Sequence, residues 1–466
     1  MSGENTYDFA VIGGGSAGYA AARTAAGLGL RTVVIDGAEE LGGLCILRGC
    51  MPSKTLIHSA NIARQVRQAE EFGINASLHS ADTAAIRQRK RTLIADFAGY
   101  RQGQLADGRF TLLRGTAAFT GPRSLEVRPR EGGAVLIEAR TMLIATGSVI
   151  TWPEVPGLRE ADVWTSDTVL DAAKVPDSFV VLGGGAIALE MAHYLEGIGR
   201  RVTVLQRSAH LLRGMDSDVS EVVRKAFVRR GMTVHTGTSL RRVAWQGHGK
   251  SVIFEKDGRE QSVTAAEVLL ALGRRAAVDG LNAHTAGVTI EKGNVSVTAT
   301  MQTTAPHVFA AGDVCGKADV VHVAIQQGEM AARNAAQLLR GAVELEQMDY
   351  RLKLFGVFTE PQVATVGMNE ADAAASGREW RAASYPFNDH GKSIVMGETE
   401  GFVKMIADAK TGEILGASVV GPEATELIHP MVVAMYFRST VRQFLEIPFY
   451  HPTLSEIWSY PAEELL

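Results

Sequence analysis

The sequence has no excess of positive charge, since its 47 lysines and arginines are outnumbered by 51 aspartates and glutamates, for a formal net charge of -4. Proteins that hold nucleic acid ordinarily present a basic surface to its phosphates. No apolar stretch is long enough, and free enough of glycine and charge, to span a bilayer as a helix. The composition therefore argues against a nucleic-acid-binding protein and against a membrane protein.

Cysteine is also scarce, with three in 466 residues. Secreted domains that depend on disulfides contain many more, and the polar start of the chain, Met1 to Asp8, lacks the apolar core of a signal peptide. These absences predict a soluble protein of the cytoplasm. The length predicts about three domains, and abundant glycine and alanine with 46% hydrophobic residues are typical of an α/β protein.

Two of the three cysteines, Cys45 and Cys50, lie in one short stretch that ends at Lys54. In a single helix their Cα atoms would be separated by ~7.5 Å along the axis, whereas a disulfide needs a Cα separation of roughly 4.4 to 6.8 Å. A bridge therefore requires Cys45 to lie on a turn and a helix to begin near Cys50. Pro52 suits the first turn of that helix because its missing N–H is not needed there.

Cys50 would then lie at a helix N-terminus, which favours a thiolate, and Lys54 would follow one turn later on the same face. This arrangement favours a redox centre. The alternatives are a buried pair of inert cysteines and a zinc site. Because Cys and His partners at ligand spacing are missing nearby, no metal site is predicted.

A dinucleotide site is predicted at the start of the chain. A short apolar strand, Tyr7 to Ile12, runs into the G-x-G-x-x-G segment Gly13 to Gly18, and a helix to Gly27 and a strand from Arg31 follow, ending in Asp36. The glycines let a pyrophosphate approach the helix N-terminus, and the terminal carboxylate accepts a ribose hydroxyl.

The same unit recurs from Phe179, with the glycine segment Gly183 to Ala188, but Gln206 takes the place of the terminal acid, 23 residues after the first glycine in each copy. Arg207 and Arg213 follow. A carboxylate repels a ribose 2'-phosphate, whereas arginines bind it. The second dinucleotide is therefore predicted to be NADPH, with a solvated basic loop as the alternative.

Other segments are less specific. Helices are predicted over Ser53 to Glu70 and Thr83 to Ala106, and Ala310 to Asp313 is predicted to end a strand and to open a helix. From about Leu352 the pattern changes to mixed strands and helices, including a helix from Glu423 to Phe437, which predicts a separate α+β domain.

In their order, the motifs of this chain resemble those of the class I pyridine nucleotide-disulfide oxidoreductases, flavoenzymes that include glutathione reductase, dihydrolipoyl dehydrogenase and mercuric reductase. The motifs are the cysteine pair with Lys54, both glycine segments, Ala145-Thr146-Gly147, Ala311-Gly312-Asp313, Phe358-Thr359-Glu360-Pro361 and His451-Pro452-Thr453-Leu454-Ser455-Glu456.

The resemblance implies an α/β fold of two Rossmann-like domains, for FAD and NAD(P), with a C-terminal α+β dimerisation domain. It implies an FAD domain over residues 1–147 and 274–345, an NAD(P) domain over 148–273 and a dimerisation domain over 346–466. It also implies a homodimer whose active site is shared across subunits.

The resemblance implies roles for five residues near the flavin and the substrate. Cys45 would be the thiol that attacks the substrate, and Cys50 the thiol that contacts the flavin. Lys54 would lie near the flavin N5, paired with Glu190. His451 would be the acid/base supplied by the other subunit.

The resemblance also has Glu456 orient that histidine. The sequence alone favours another role, since Thr453-x-x-Glu456 has the pattern of a capping box for the last helix; the two roles could coexist.

The remaining implied contacts form two sets. The FAD contacts are Gly13, Gly15, Ser16, Gly18, Asp36, Gly43, Lys54, Ala117, Thr146, Gly147 and Asp313. The NADPH contacts are Gly183, Gly185, Ala188, Arg207, Arg213 and Gly273. No function is predicted for Cys315 or His429.

The chain departs from its family at several positions. Leu44 and Leu47 stand where the family usually has Thr and Asn, and Ala186 and Glu329 replace two residues of the glutathione reductases. Dihydrolipoyl dehydrogenase usually has an acid in place of Gln206, and mercuric reductase typically adds a C-terminal cysteine pair that is missing here.

The sequence thus predicts a reductase of cell redox homeostasis that passes hydride from NADPH to FAD, then electrons to Cys45 and Cys50, and then to a small disulfide. The alternatives are a dihydrolipoyl dehydrogenase-type activity with NAD, a mercuric reductase-like activity and, from another class, a redox-sensing flavoprotein without catalysis.

Overall fold

The computed structural model describes residues 5 to 466, and the chain divides into two compact units. The first unit comprises Met1–Pro52, Gln88–Thr151 and Gly273–Asp349. The second unit comprises Ser53–Arg87, Trp152–Leu272 and Tyr350–Leu466.

Helices and strands alternate through most of the chain. The first part contains β1 (Thr6–Ile12), α1 (Ser16–Gly27), β2 (Thr32–Asp36), α2 (Gly43–Arg48), α3 (Cys50–Gln68), α4 (Thr83–Leu105), β3 (Thr111–Gly121), β4 (Ser124–Pro129), β5 (Val135–Ile144) and β6 (Ser148–Ile150). The middle part contains β7 (Trp164–Thr165), α5 (Ser166–Leu170), β8 (Ser178–Leu182), α6 (Ala186–Gly197), β9 (Arg201–Leu205), α7 (Ser217–Arg229), β10 (Thr233–His235), β11 (Ser239–Gln246), β12 (Gly249–Lys256), β13 (Arg259–Ala265), β14 (Glu267–Leu270) and β15 (Arg274–Ala276). The last part contains β16 (Ile290–Glu291), β17 (Asn294–Val295), β18 (Val308–Ala310), α8 (Val321–Leu339), β19 (Leu354–Val357), β20 (Gln362–Gly367), α9 (Glu370–Ala375), β21 (Trp380–Pro386), α10 (Gly391–Met396), β22 (Phe402–Asp408), β23 (Ile414–Gly421), α11 (Ala424–Leu427), α12 (His429–Tyr436), α13 (Val441–Leu445) and α14 (Ser459–Glu464). Short 3-10 helices occupy Ala69–Phe72, Ala283–Ala286, Asp313–Cys315, Phe387–Asp389 and Ser455–Trp458.

The first unit is built on a six-stranded sheet in which β1 pairs in parallel with both β2 and β5, and β18 pairs in parallel with β5. Its central strands are apolar on both faces, with Phe9, Leu143 and Phe309 fully buried, as expected for strands covered on both sides. Helices α1 and α8 pack closely, since a Cβ on Gly328 would lie 2.2 Å from the carbonyl oxygen of Ala17.

The second unit contains a parallel sheet in the order β10-β9-β8-β14-β7 and a three-stranded antiparallel sheet formed by β11, β12 and β13. Helix α6 is largely buried, with Leu189 and Leu195 inaccessible to solvent. Both predicted strand-glycine-helix-strand units are therefore present, and in each the two strands pair in parallel.

The C-terminal part of the second unit is a five-stranded antiparallel sheet, β19-β20-β23-β22-β21, with helices after its last strand. Trp458 is fully buried in its core and donates its indole N–H to the carbonyl oxygen of Leu427, at 2.8 Å. The predicted fold class, two dinucleotide-binding modules and a C-terminal α+β domain, is confirmed.

Two helix predictions were wrong. The helix predicted over Glu423 to Phe437 is broken into α11 and α12, and Pro430, which lacks an N–H, lies in the first turn of α12. Asp313 does not open the long helix, because its 3-10 turn ends at Gly316 in a left-handed conformation (φ 59°), and α8 begins only at Val321.

None of the helices within residues 5–466 combines the length and apolar character needed to cross a membrane.

Candidate functional site

The first glycine segment, between β1 and α1, allows close backbone packing. Gly13 has a φ of 105°, and a Cβ there would lie 2.3 Å from the carbonyl oxygen of Ala145. A Cβ on Gly18 would lie 1.8 Å from the carbonyl oxygen of Gly13. Both positions therefore require glycine, and together they hold the N-terminus of α1 against the end of β1.

Asp36, the last residue of β2, contacts the first glycine segment. The residue is buried, with 8% exposure. Its Oδ2 accepts a hydrogen bond from the backbone N–H of Gly14, and its Oδ1 accepts one from Ala38, each at 2.8 Å. The carboxylate is thus fixed at the end of β2, where its contact with a ribose remains a prediction.

The cysteine pair sits at a break between two helices. Cys45 lies within α2, a helix of six residues, and not on the predicted turn, whereas Cys50 begins α3 as predicted. Gly49 separates the helices, and a Cβ there would lie 2.9 Å from the carbonyl oxygen of Leu44 and 3.2 Å from the Cα of Cys45. At this break the backbone of Gly49 packs directly against Leu44 and Cys45. Each cysteine is half-buried.

The cysteine segment also abuts the glycine segment within the first unit. Gly43, the first residue of α2, has a φ of 75°, and a Cβ there would lie 2.6 Å from the Cα of Gly15. The start of the dithiol segment is therefore packed directly on the glycine loop.

A third group in the first unit gathers polar side chains that follow β5 and β18. Ser148 donates its hydroxyl to Asp313 Oδ2 at 2.7 Å, and Arg274 donates its Nε–H to Ser148 Oγ at 2.8 Å. Thr146 Oγ1 is buried and has no hydrogen-bond partner within residues 5–466. Sequence reasoning missed Ser148 and Arg274, which lie 126 positions apart and carry no motif of their own.

These residues fit the FAD that the family implies. The glycine segment leaves its backbone N–H groups approachable, since the space around a Cβ on Gly15 contains only the Cα of Gly43, at 3.8 Å. A phosphate binds such a helix N-terminus, and the unsatisfied hydroxyl of Thr146 provides a polar contact for a ligand. Among the other predicted FAD contacts, Gly147 is a left-handed glycine (φ 71°) and Ala117 is buried in β3.

The second glycine segment has the same construction in the second unit. Gly183 has a φ of 120°, and a Cβ there would lie 2.3 Å from the carbonyl oxygen of Ala271. The loop after β9 is anchored on this segment, because Leu212 donates its N–H to the carbonyl oxygen of Gly184 at 2.8 Å. Ala188 is buried, and Gly273, which belongs to the first unit, has a φ of 109°.

Arg207 and Arg213 lie on that anchored loop, and both are exposed. Neither side chain forms a hydrogen bond or an ion pair with any other residue of the described part of the chain. Gln206 contributes a side-chain N–H toward the carbonyl oxygen of His210, at 3.4 Å. The loop therefore holds two uncompensated positive charges next to a glycine segment.

Lys54 and Glu190 are brought together in the second unit. Lys54 Nζ lies 2.7 Å from Glu190 Oε2 and 4.6 Å from the centroid of the Phe358 ring. Glu190 Oε1 accepts the backbone N–H of Phe358 at 3.1 Å. Because the Glu190 side chain is only 6% exposed, its charge depends on these two donors.

His451 and Glu456 also meet in the second unit. His451 Nδ1 lies 3.0 Å from Glu456 Oε2 and 3.2 Å from Oε1. The side chain of His451 is 78% exposed, whereas that of Glu456 is 12% exposed. The predicted capping box is not formed: the 3-10 helix Ser455–Trp458 has Leu454 at its N-cap and no side-chain cap, and the Glu456 carboxylate is turned toward the histidine.

The third cysteine lies apart from this chemistry. Cys315 is buried in the core of the first unit, and that burial raises the pKa of its thiol to about 12. A thiol with such a pKa is protonated and unreactive at neutral pH.

Comparison with known proteins identifies the family of the chain. The family model of the pyridine nucleotide-disulphide oxidoreductases matches residues 7–328, and the dimerisation domain of the same family matches residues 355–461.

Among curated relatives, a dihydrolipoyl dehydrogenase of Bacillus subtilis is 32% identical over 97% of this chain and 96% of its own length. A mercuric reductase of Bacillus cereus is 34% identical over 97% of this chain and 70% of its own.

Two solved structures resemble the whole chain. The copper(II) complex of the HOCl-induced flavoprotein disulfide reductase RclA from Escherichia coli superposes with a TM-score of 0.86, at 26% identity and 99% coverage of both chains. LpdA from Mycobacterium tuberculosis also superposes with a TM-score of 0.86, at 28% identity, 98% coverage of this chain and 100% of that chain. With its two glycine segments, its cysteine pair and a C-terminal dimerisation domain, the chain belongs to the class I pyridine nucleotide-disulfide oxidoreductases, the FAD-dependent flavoenzymes.

Proposed function

We propose that this enzyme reduces a small disulfide with electrons from NADPH, so that NADPH, a proton and one disulfide yield NADP⁺ and two thiols. The observation that carries the proposal is the packing of the Cys45 and Cys50 segment directly on the first glycine loop, through Gly43 and Gly15. This contact puts a dithiol and a flavin-type cradle in the same unit.

The choice of NADPH rests on the loop after β9. Arg207 and Arg213 are exposed and have no partner within residues 5–466, so their charges are available to a 2'-phosphate. Gln206 removes the carboxylate that would repel that phosphate. In this proposal Gly183, Gly185 and the N-terminus of α6 hold the pyrophosphate.

The thiols carry the disulfide chemistry. Cys45 thiolate attacks one sulfur of the substrate, forms a mixed disulfide with it and expels the first thiolate. Cys50 thiolate then attacks the Cys45 sulfur, which forms the Cys45 and Cys50 disulfide and expels the second thiolate. When bound, FAD supplies the transfer of two electrons from the nicotinamide to this disulfide.

His451 supplies the proton to the leaving thiolate. Its exposed ring and its buried partner Glu456 suit a histidine that is presented to a second subunit. The neighbouring helix α12 has the apolar surface that such an assembly needs, with Val433 57% exposed and Phe437, which follows the helix, 72% exposed. We therefore propose a homodimer in which each active site takes Cys45 from one subunit and His451 from the other.

The substrate is proposed to be a low-molecular-weight disulfide other than glutathione disulfide. Arg23, which the family resemblance matches to a glutathione-contacting arginine of the glutathione reductases, is paired with Glu329 at 2.7 Å. The Glu329 carboxylate therefore competes with the carboxylates of glutathione for Arg23. Leu44 and Leu47 also remove polar groups beside the dithiol.

One alternative has specific support, a dihydrolipoyl dehydrogenase-type activity with NAD. Several curated relatives bear that name over nearly their full length. The domain limits 1–147, 148–273, 274–345 and 346–466 and a cytoplasmic location are likewise part of the proposal.

The decisive experiment is a turnover screen of the purified holoenzyme with NADPH and with NADH, against glutathione disulfide, lipoamide, other low-molecular-weight disulfides and Hg(II). We expect NADPH-dependent turnover of a disulfide other than glutathione disulfide. Turnover of lipoamide with NADH at a higher kcat/KM would instead support the alternative, and failure to turn over any disulfide with either coenzyme would overturn both.

A further inference from the structure

A second histidine lies behind the His451 and Glu456 pair. His390 precedes α10, and its side chain is completely buried. Its Nδ1 lies 2.9 Å from Ser393 Oγ, and its Nε2 lies 3.5 Å from Glu456 Oε1. Nε2 makes no hydrogen bond of standard geometry within residues 5–466, and the polar groups beside the ring, apart from Ser393, are the Glu456 carboxylate and the backbone of Thr453.

Aromatic rings pack against the imidazole of His390 and fix its orientation. Phe387 and Tyr460 each meet the imidazole edge to face, with ring centroids 6.5 Å and 6.3 Å away. Tyr460 is in turn stacked on Tyr385 at 4.1 Å. The ring is therefore fixed by packing on both sides, which is what a positioning group requires.

The charge state of His390 follows from its surroundings. Burial lowers its pKa, Glu456 opposes that shift and His451 adds to it; the backbone of Thr453 also opposes the shift. Asp389, the preceding residue, accepts a hydrogen bond from the hydroxyl of Tyr385 at 2.9 Å. His390 is thus neutral at pH 7 and has one N–H. Because an Nε2 without a proton would set its lone pair against the Glu456 carboxylate, we assign the N–H to Nε2, and the Ser393 hydroxyl is then the donor to Nδ1.

We propose that His390 is a positioning residue for the acid/base of this enzyme. It holds one end of the Glu456 carboxylate, whose other contact is the Nδ1 of His451. A carboxylate fixed in this way keeps the proton of neutral His451 on Nδ1 and leaves its Nε2 to exchange a proton with the thiols. The three side chains form a line from the buried core to the exposed imidazole.

The inference rests on the proposed function, and its test compares four variants of the holoenzyme with the wild type. His390→Leu removes the N–H, His390→Gln replaces it with an amide N–H near the Nε2 position, and Ser393→Ala removes the group that orients the ring. Tyr385→Phe is the matched control, because it removes the hydrogen bond to Asp389 beside His390 without touching the line.

Two half-reactions are measured, namely flavin reduction by NADPH and reoxidation of the reduced enzyme by the best disulfide of the screen. We expect His390→Leu to lower kcat for the disulfide about 10-fold, with KM and flavin reduction changed less than about twofold, as expected for a group that acts through an acid/base. His390→Gln should recover kcat to within about threefold of the wild type, since it restores the donor. Ser393→Ala should give an intermediate loss, and Tyr385→Phe should give none.

Variant His451→Gln separates the two proposals. A loss of at least about 100-fold is expected there if His451 is the acid/base. If His451→Gln is impaired but His390→Leu and Ser393→Ala behave as the control, the role of His390 is overturned alone. If His451→Gln retains full disulfide turnover, the acid/base role of His451 and the positioning role of His390 both fail, whereas the proposed function fails only if the wild type turns over no disulfide. Should His390→Leu not fold, Ser393→Ala and His390→Gln still decide, because their thermal midpoints can be matched to that of Tyr385→Phe.

Discussion

Lys54 Nζ forms an ion pair with Glu190 Oε2 at 2.7 Å, although the two residues are 136 positions apart in the sequence. Lys54 lies in α3, one turn after Cys50, the first residue of that helix. Glu190 is on α6, four residues after its start. The pair therefore joins α3, which begins at Cys50, to α6.

Replacing Lys54 should be costly because it leaves Glu190 charged and almost inaccessible to solvent. We expect Lys54→Met to lower the unfolding free energy by about 2 to 3 kcal/mol, at the lower end for a buried pair because the lysine is partly exposed. The double variant Lys54→Met with Glu190→Gln should recover much of this loss, since no unpaired charge remains.

The control for this prediction is Lys410, whose pair with Glu379 at 3.2 Å is about 70% exposed on both sides. Lys410→Met should change the unfolding free energy by less than about 1 kcal/mol. Denaturant unfolding of all four holoproteins provides the comparison. Equal losses for Lys54→Met and Lys410→Met would show that Glu190 does not depend on Lys54.

Replacing Cys45 should separate the two halves of the reaction. Cys45→Ser removes the thiol that attacks the substrate, so disulfide turnover should fall to background, while NADPH should still bleach the flavin absorbance. Stopped-flow spectra under anaerobic conditions measure the second step directly. Cys315→Ser is the control, because its buried, protonated thiol takes no part. Normal disulfide turnover by Cys45→Ser would refute the dithiol mechanism.

Mixed dimers test whether the site is shared between subunits. Cys45→Ser and His451→Gln homodimers should each be nearly inactive. A heterodimer of the two combines the intact cysteine of one chain with the intact histidine of the other, so co-expression should restore about half of the wild-type activity per heterodimer if one of its two sites is complete. No recovery in a purified, doubly tagged heterodimer would mean that each chain carries its own complete site.

The sequence was sufficient to predict the parts of the fold that depend on local patterns. Both glycine segments and the helix that begins at Cys50 have start signals in adjacent residues. The antiparallel sheet of β11 to β13 was not predicted, since its pairing depends on contacts between strands that have few distinctive residues. The start of α3 at Cys50 was predicted, but the short helix α2, in which Cys45 lies, was not, since a turn was expected there.

The site divides in the same way. The motif residues and two of their partners, Glu190 and Glu456, could be predicted from the motifs, but the partners that carry no motif could not. His390 is 66 positions before Glu456 and has no motif around it, and Ser148 joins Arg274 and Asp313 only through the folded backbone. Glu456 has two local patterns: its spacing from Thr453 matches a capping box, but the contact formed is the one with His451, five positions earlier, as the family resemblance implied.

Coenzyme preference should depend on Arg207. The side chain is exposed and has no partner within residues 5–466, so Arg207→Gln should leave the stability unchanged and act on binding alone. We expect this variant to weaken the binding free energy of NADPH by roughly 2 to 4 kcal/mol and that of NADH by far less, because only NADPH has the 2'-phosphate.

Titration of flavin reduction with each coenzyme gives the two affinities. Arg259→Gln, at another exposed arginine of the second unit on β13, is the control for the change in net charge. Equal losses of affinity for NADPH and NADH would contradict the proposed preference. Equal losses of NADPH affinity in both arginine variants would show that the effect comes from the net charge and not from a contact of Arg207.

The pH dependence of stability should report on His193, which is fully buried in α6. Its Nε2 lies 2.7 Å from Asn61 Oδ1, and its Nδ1 lies 2.9 Å from Arg230 Nη1. Burial lowers the pKa of His193 well below its usual value, and Arg230 and Arg64 lower it further. The neutral ring can donate to Asn61 while it accepts from Arg230, whereas the protonated ring cannot accept.

Because the unfolded chain binds this proton more readily than the folded one, the stability that neutral His193 contributes is complete above the unfolded pKa of about 6.5 and is lost as the pH falls toward the folded pKa. In that window the unfolding free energy should decrease by about 1.4 kcal/mol for each unit by which the pH falls, because of this group.

His193→Gln should remove the contribution of one proton from this pH slope, whereas His248→Gln, at an exposed histidine, should leave the slope unchanged. Some slope will remain in His193→Gln, since burial also lowers the pKa of His235 and of His390. Denaturant unfolding between pH 5 and 8 measures the slopes, and identical slopes in His193→Gln and the wild type would show that His193 takes up its proton without unfolding the protein.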